Sequence, residues 1–166
     1  MGIYKVIAYH GSKSGNIESF DLNKVDLGFH FGTFKQAEKK INGKGFIYKV
    51  ELSLEKTLRI KDPQNDSWQI FYNNLYDGFV KQNRLILSDW KELGTLLYKK
   101  NAELFNQGIK SIHGRSSIIN NILITEFIEL GYDSLVYENE YEGQGDSYIL
   151  FNPKRIKILF KKQIRD

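Results

Sequence analysis

The chain has 166 residues, 41% of them hydrophobic and 27% charged, the balance of an ordinary globular protein, and its length predicts one domain over residues 1–166. It contains no cysteine, which excludes disulfide scaffolds, thiol nucleophiles and cysteine-ligated zinc or iron–sulfur centres. Its 24 Lys and Arg against 20 Asp and Glu leave a net +4, read as spread along most of the chain, which favours an anionic ligand without requiring a nucleic acid.

In chain order, residues 3–9 form a nearly continuous apolar and aromatic run broken by Lys5, which predicts a strand buried on both faces and ending at His10-Gly11. A short aromatic strand bracketed by glycines follows at residues 28–33. Residues 33–41 carry Phe34, Ala37 and Ile41 at helical spacing, with Thr33 as N-cap and Gly43 as stop. Regular alternation over residues 44–53 sets Phe46, Tyr48, Val50 and Leu52 on one face of a half-buried strand.

The middle reads as helix, about residues 64–130. Helices are predicted over 66–76, from Ser88-Asp89 with Trp90, Leu93 and Leu97 on one stripe, and over 116–130, ended by Gly131. Strands at 134–137, 147–151 and 155–160 close the chain as a meander. Strands at both ends and helices between them, without regular βαβ alternation, predict an α+β fold. No apolar run approaches the roughly 18 residues of a membrane span, so the expected setting is cytoplasmic, with no membrane partner.

Three segments could carry chemistry. Tyr9-His10-Gly11-Ser12 closes the first strand, where a lone His is ordinarily structural but the adjacent Gly lets backbone approach a planar ligand. Gly28-Phe29-His30-Phe31-Gly32-Thr33 leads into a helix whose free amides suit an anion, although an apolar hairpin would read the same way. Residues 137–148 hold Glu138, Glu140 and Glu142 in a Gly-bearing loop that is otherwise an ordinary solvated hairpin.

In this order, with Gly131-Tyr132-Asp133, Asn139-x-x-Glu142 and Ser147-Tyr148-Ile149-Leu150-Phe151-Asn152-Pro153, the segments resemble the ADP-ribosyltransferase superfamily. The closest likeness is to small phage and mobile-element members of the polyvalent-protein type, and it covers residues 4–37, 46–52 and 131–159. The resemblance implies a split mixed/antiparallel β-sheet core with a helical insertion in the middle. It implies NAD as substrate, no metal, and transfer of one ADP-ribose to a macromolecular acceptor, a protein ahead of a nucleic acid. The setting would be the host cytoplasm, with a phage or mobile-element effector acting on host or defence components.

Residue by residue, His10 matches the first-strand His that bonds the adenosine-side ribose, and Gly11 matches the Gly that pairs with the nicotinamide amide, with Ser12 beside it. His30 and Phe31 fall where relatives have Tyr-Phe, and Thr33 falls near the nicotinamide end. Glu142, then Glu140, is the candidate catalytic acid, and Lys13, Lys35 and Arg155 are candidates for the pyrophosphate. Two positions depart from the family. Ala37 to Lys40 lack the second stacking Tyr, leaving Phe31, Phe34 or Tyr48 as substitutes, and Ser147 stands where polymerase relatives carry Glu. Either the acid comes from the preceding loop or the site is inactive. The alternatives are a non-catalytic protein- or RNA-binding module on the same fold, and a small basic ribonuclease using His10, His30 and Glu142 as acid and base.

Overall fold

In the computed structural model, which describes residues 2–21, 27–63, 67–81, 87–139 and 141–165, the two ends of the chain form one compact unit and residues 63–130 another. The first unit is built on β1 (Tyr4–Ser12), β2 (Phe29–Phe31), α1 (Phe34–Ile41), β3 (Gly45–Leu54), β4 (Thr57–Arg59), β5 (Ser134–Glu138), β6 (Asp146–Leu150) and β7 (Ile156–Ile164). Its strands make two sheets, ordered β1-β3-β7 and β2-β6-β5-β4. Among the described residues β4 and β5 run parallel and the other pairs are antiparallel. This is the expected α+β architecture.

The alternation in β3 explains where the core lies. Val50, Leu52 and Leu54 are fully buried and pack with Ala8 of β1, Phe29 and Phe31 of β2, Leu150 of β6 and Phe20. The core therefore joins residues from both sheets, and each of its buried Val, Leu and Phe side chains stabilises the fold by about 1.5–3 kcal/mol. A second cluster, Ala37, Ile41 and Ile47, seats α1 on the other face of β3. The two sheets are also joined through backbone: Tyr9 N–H donates to the Gly32 carbonyl at 2.8 Å, and Gly32 N–H donates back at 2.9 Å.

Three expectations change. Strand β1 is not buried on both faces: Ile7 is 49% exposed and Ala8 is its one buried residue, because β1 is a sheet edge whose outer face α1 covers only in part. The C-terminal strands are not a single meander. Strands β5 and β6 are antiparallel neighbours, but a 3-10 turn at Pro153–Arg155 sends β7 to β3 in the other sheet. The three residues of β4 went unread because a strand that short shows no period.

The second unit holds α2 (Trp68–Lys81), α3 (Leu87–Asn106) and α4 (Ile112–Glu129). Its apolar stripe is regular: Trp68, Phe71, Leu75 and Phe79 from α2, and Ile119, Leu123 and Phe127 from α4, are all buried. Tyr72 stacks on Trp90 with ring centroids 5.4 Å apart and donates its hydroxyl to the Trp90 carbonyl at 2.8 Å. Helix α4 starts four residues before the expected 116, where Ser111 caps it by accepting from Gly114 N–H. Among the described residues no helix is long and apolar enough to cross a membrane.

Candidate functional site

Helix α1 begins with a reciprocal cap. Thr33 Oγ1 accepts from Gln36 N–H at 3.3 Å, while Gln36 Oε1 accepts from Thr33 N–H at 2.7 Å, which satisfies two of the amides a helix start leaves open. Gln36 is 2% exposed, and its remaining polar capacity is spent on the β5–β6 loop. Its Nε2 donates to the carbonyls of Gly143 at 2.7 Å and Gly145 at 3.1 Å, and its Oε1 also accepts from the Ser147 hydroxyl at 3.0 Å. Gly32 allows this approach, since a Cβ there would lie 1.9 Å from Gln36 Oε1.

Asn139 fixes the loop from the other side. Its Oδ1 accepts from Glu142 N–H at 2.8 Å, and its Nδ2 donates to Glu142 Oε2 at 3.1 Å and to Ser147 Oγ at 3.2 Å. Glu142 is half-buried, and among the described residues its carboxylate is held by the neutral amide of Asn139, with no ion pair. Ser147 also meets the Tyr137 hydroxyl, which burial pushes up to about 12 and keeps protonated. A buried polar set, Gln36, Asn139 and Ser147, thus ties the start of α1 to the loop that presents Glu142.

His10 follows Tyr9, whose backbone bridges to Gly32. Its Nδ1 donates to the His30 carbonyl at 2.9 Å, and its ring packs against Phe20 at 5.3 Å and Phe31 at 5.7 Å. Burial lowers its pKa, the hydrogen bond to His30 offsets part of that shift, and Lys40 adds to it. A neutral imidazole with its proton on Nδ1 leaves Nε2 as an acceptor, which suits a hydroxyl donor.

The structure therefore ties Thr33 to the Glu142 loop through Gln36 and Asn139, and His10 to the His30 backbone on β2. Other candidates take structural places. Phe31 is 2% exposed and belongs to the core, as does Tyr48, so of the three aromatics offered for stacking only Phe34 is partly exposed. The Cα of Gly11 faces α1: a Cβ there would lie 2.3 Å from the Ala37 carbonyl oxygen. Ser12 Oγ accepts from Ser14 N–H at 3.0 Å in the following turn. The His30 side chain is exposed on β2. Glu140 lies outside the described residues.

Of the three cations offered for a pyrophosphate, Lys13 donates to the Ile41 and Lys44 carbonyls at the far end of α1. Arg155 pairs with Glu55 at 2.7 Å and Asp133 at 3.8 Å. Lys35 is exposed on α1.

No protein-family model matches the chain, and no curated protein does. Among solved structures, a crystal structure of an anti-CRISPR protein aligns over 96% of both chains with a TM-score of 0.43 and 13% sequence identity. A likeness that slight transfers nothing.

Sequence reasoning missed Gln36, Asn139 and Ser147 as a connected set. Part of the signal was legible: Thr33-x-x-Gln36 has the spacing of a capping box, and Asn139-x-x-Glu142 that of a loop closed by an Asn side chain. That the two share one glutamine across more than a hundred residues follows only from the fold.

Proposed function

We propose that this chain is a mono-ADP-ribosyltransferase that moves ADP-ribose from NAD to a macromolecular acceptor, a protein ahead of a nucleic acid. The observation that carries the reading is Glu142, a half-buried carboxylate held by Asn139 at the start of α1. Cleavage of the nicotinamide–ribose bond leaves the electron pair with nicotinamide and builds positive charge at the anomeric carbon. A carboxylate fixed beforehand stabilises that charge and accepts from the ribose 2′-hydroxyl. The acceptor nucleophile then bonds to the anomeric carbon and loses its proton. The neutral His10 supplies an acceptor for the other ribose, and the partly exposed Phe34 a surface for the nicotinamide ring.

One observation favours the second reading, a non-catalytic binding module on this fold: the polar contacts of the Glu142 carboxylate are made within its own loop, and Ser147 is buried where polymerase relatives carry an acid. Nicotinamide release from NAD by the purified chain decides between them. We expect release that falls by about 10²–10³-fold in Glu142→Gln, the size of effect seen when one transition-state contact is removed. Release unchanged in Glu142→Gln but lost in Glu140→Gln would move the acid to Glu140. No release, together with no NAD-dependent rise in melting temperature, would establish the binding module.

A further inference from the structure

The charge expected to be spread along the chain is concentrated instead. Lys154, Arg155, Lys157, Lys161, Lys162 and Arg165 place six cations in twelve residues with no acid among them, more positive charge than the +4 of the whole chain. Lys157, Lys161 and Lys162 lie on β7, the edge strand of the β1-β3-β7 sheet, with Lys154 and Arg155 in the 3-10 turn before it and Arg165 just after it, and all of the six but Arg155 are exposed.

The nearby acids are already matched at one end. Glu55 and Asp133 face Arg155, and Glu51, which lies opposite Lys157, pairs with Lys5 at 2.9 Å. Beyond Lys157 the cations meet neutral partners among the described residues: Lys161 donates to the Gly15 carbonyl at 2.7 Å, Lys162 lies over the Phe34 ring, and Arg165 donates to Gln163 Oε1 at 3.1 Å, so their charge is not neutralised there. A register shift between Lys49 and Val50 places Phe160 opposite Lys49 and leaves Leu159 and Phe160 43% and 57% exposed between lysines. At the far end of the strand a groove of about 510 Å³ is lined by Lys13, Lys44, Phe46, Gln163 and Arg165 among others.

We propose that β7 and the adjoining face of its sheet bind single-stranded nucleic acid, with the lysines tracking phosphates and Phe160 stacking on a base. A nine-residue strand spans about 30 Å, enough for several nucleotides. Edge strands commonly carry lysines to prevent strand-to-strand aggregation, but that purpose disfavours a large exposed aromatic among them. A single strand uses both the charge and the ring, because its phosphates meet lysines and every base has a π-face. This inference stands apart from the transferase reading.

The test is fluorescence anisotropy of a labelled twelve-nucleotide single strand, as RNA and as DNA, titrated with the full chain between 50 and 200 mM salt. Polyglutamate and phosphatidylserine vesicles serve as competitors. We expect Phe160→Ala to weaken single-strand binding about fivefold or more while leaving polyglutamate binding unchanged, as base stacking requires. The triple variant Lys154→Gln, Lys157→Gln, Arg165→Gln should reduce the salt slope by about 2, at roughly 0.7 per phosphate contact. Circular dichroism melts check that both variants fold. The proposal fails if the single strand does not bind at 50 mM salt, if Phe160→Ala binds it as the parent does, or if the vesicles displace it and are themselves released by Phe160→Ala.

Discussion

His10 shows how one side chain acquires a chemical state from its surroundings. Its ring sits among Phe20 and Phe31, and the resulting loss of water disfavours the imidazolium more than the His30 carbonyl favours it. The folded chain therefore takes up this proton less readily than the unfolded chain, whose imidazole has its ordinary pKa of 6.5. The sign follows: His10 contributes fully to stability above pH 6.5, and that contribution is lost as pH falls from there through the lowered folded value. Urea midpoints at pH 7.5 and 5.5 should differ less in His10→Gln than in the parent chain. An equal loss in both would mean that His10 has the same pKa in the folded chain as in the unfolded one and that its burial does not disfavour the imidazolium. The sequence placed this histidine at a strand end; its protonation state depends on Phe20, ten residues away, and on a carbonyl from another strand, neither visible in local pattern.

At the scale of an element, α1 is the joint between the first strands and the C-terminal loop. Its boundaries were legible because Thr33, the Phe34, Ala37, Ile41 spacing and the turn after Ile41 all act locally; Asn42 takes a left-handed conformation there, φ 46°, just before Gly43. What α1 holds was not legible, since Gln36 bonds to Gly143, Gly145 and Ser147. Gln36→Ala removes the cap acceptor and leaves two carbonyls and a hydroxyl short of a partner in a buried place, so we expect a loss of about 1–3 kcal/mol in urea unfolding. Gln36→Glu keeps the cap acceptor but sets a carboxylate against two carbonyl oxygens, and should cost more than Gln36→Ala at neutral pH. If both variants unfold like the parent, the loop carrying Glu142 is not held by α1.

For the molecule as a whole, the parallel pairing of β4 with β5 sets the role of the helical unit. Parallel neighbours need a crossover of a dozen or more residues, and α2, α3 and α4 supply it between Thr57–Arg59 and Ser134–Glu138. The covalent need is for reach alone, so replacing residues 63–130 with a flexible Gly/Ser linker of about a dozen residues should leave the two sheets folded. Retained cooperative melting and strand signal in circular dichroism would bear this out, and a chain without a melting transition would show that the sheets require the helices. The sequence revealed the split into strand-rich ends and helical middle through period alone. Period alone did not reveal the two-sheet arrangement, which only the resemblance implied, because the partners of β7 and β6 are chosen by contacts made across most of the chain. That arrangement has a consequence for synthesis. Strand β3 pairs with β7, Val50 opposite Ile158, and β2 pairs with β6, so neither sheet closes while the chain is still being translated through its helical middle. At 5–20 residues per second the apolar faces of β2 and β3 wait on the order of 5–20 s for their partners to leave the ribosome, a window in which a nascent-chain chaperone has its natural point of engagement.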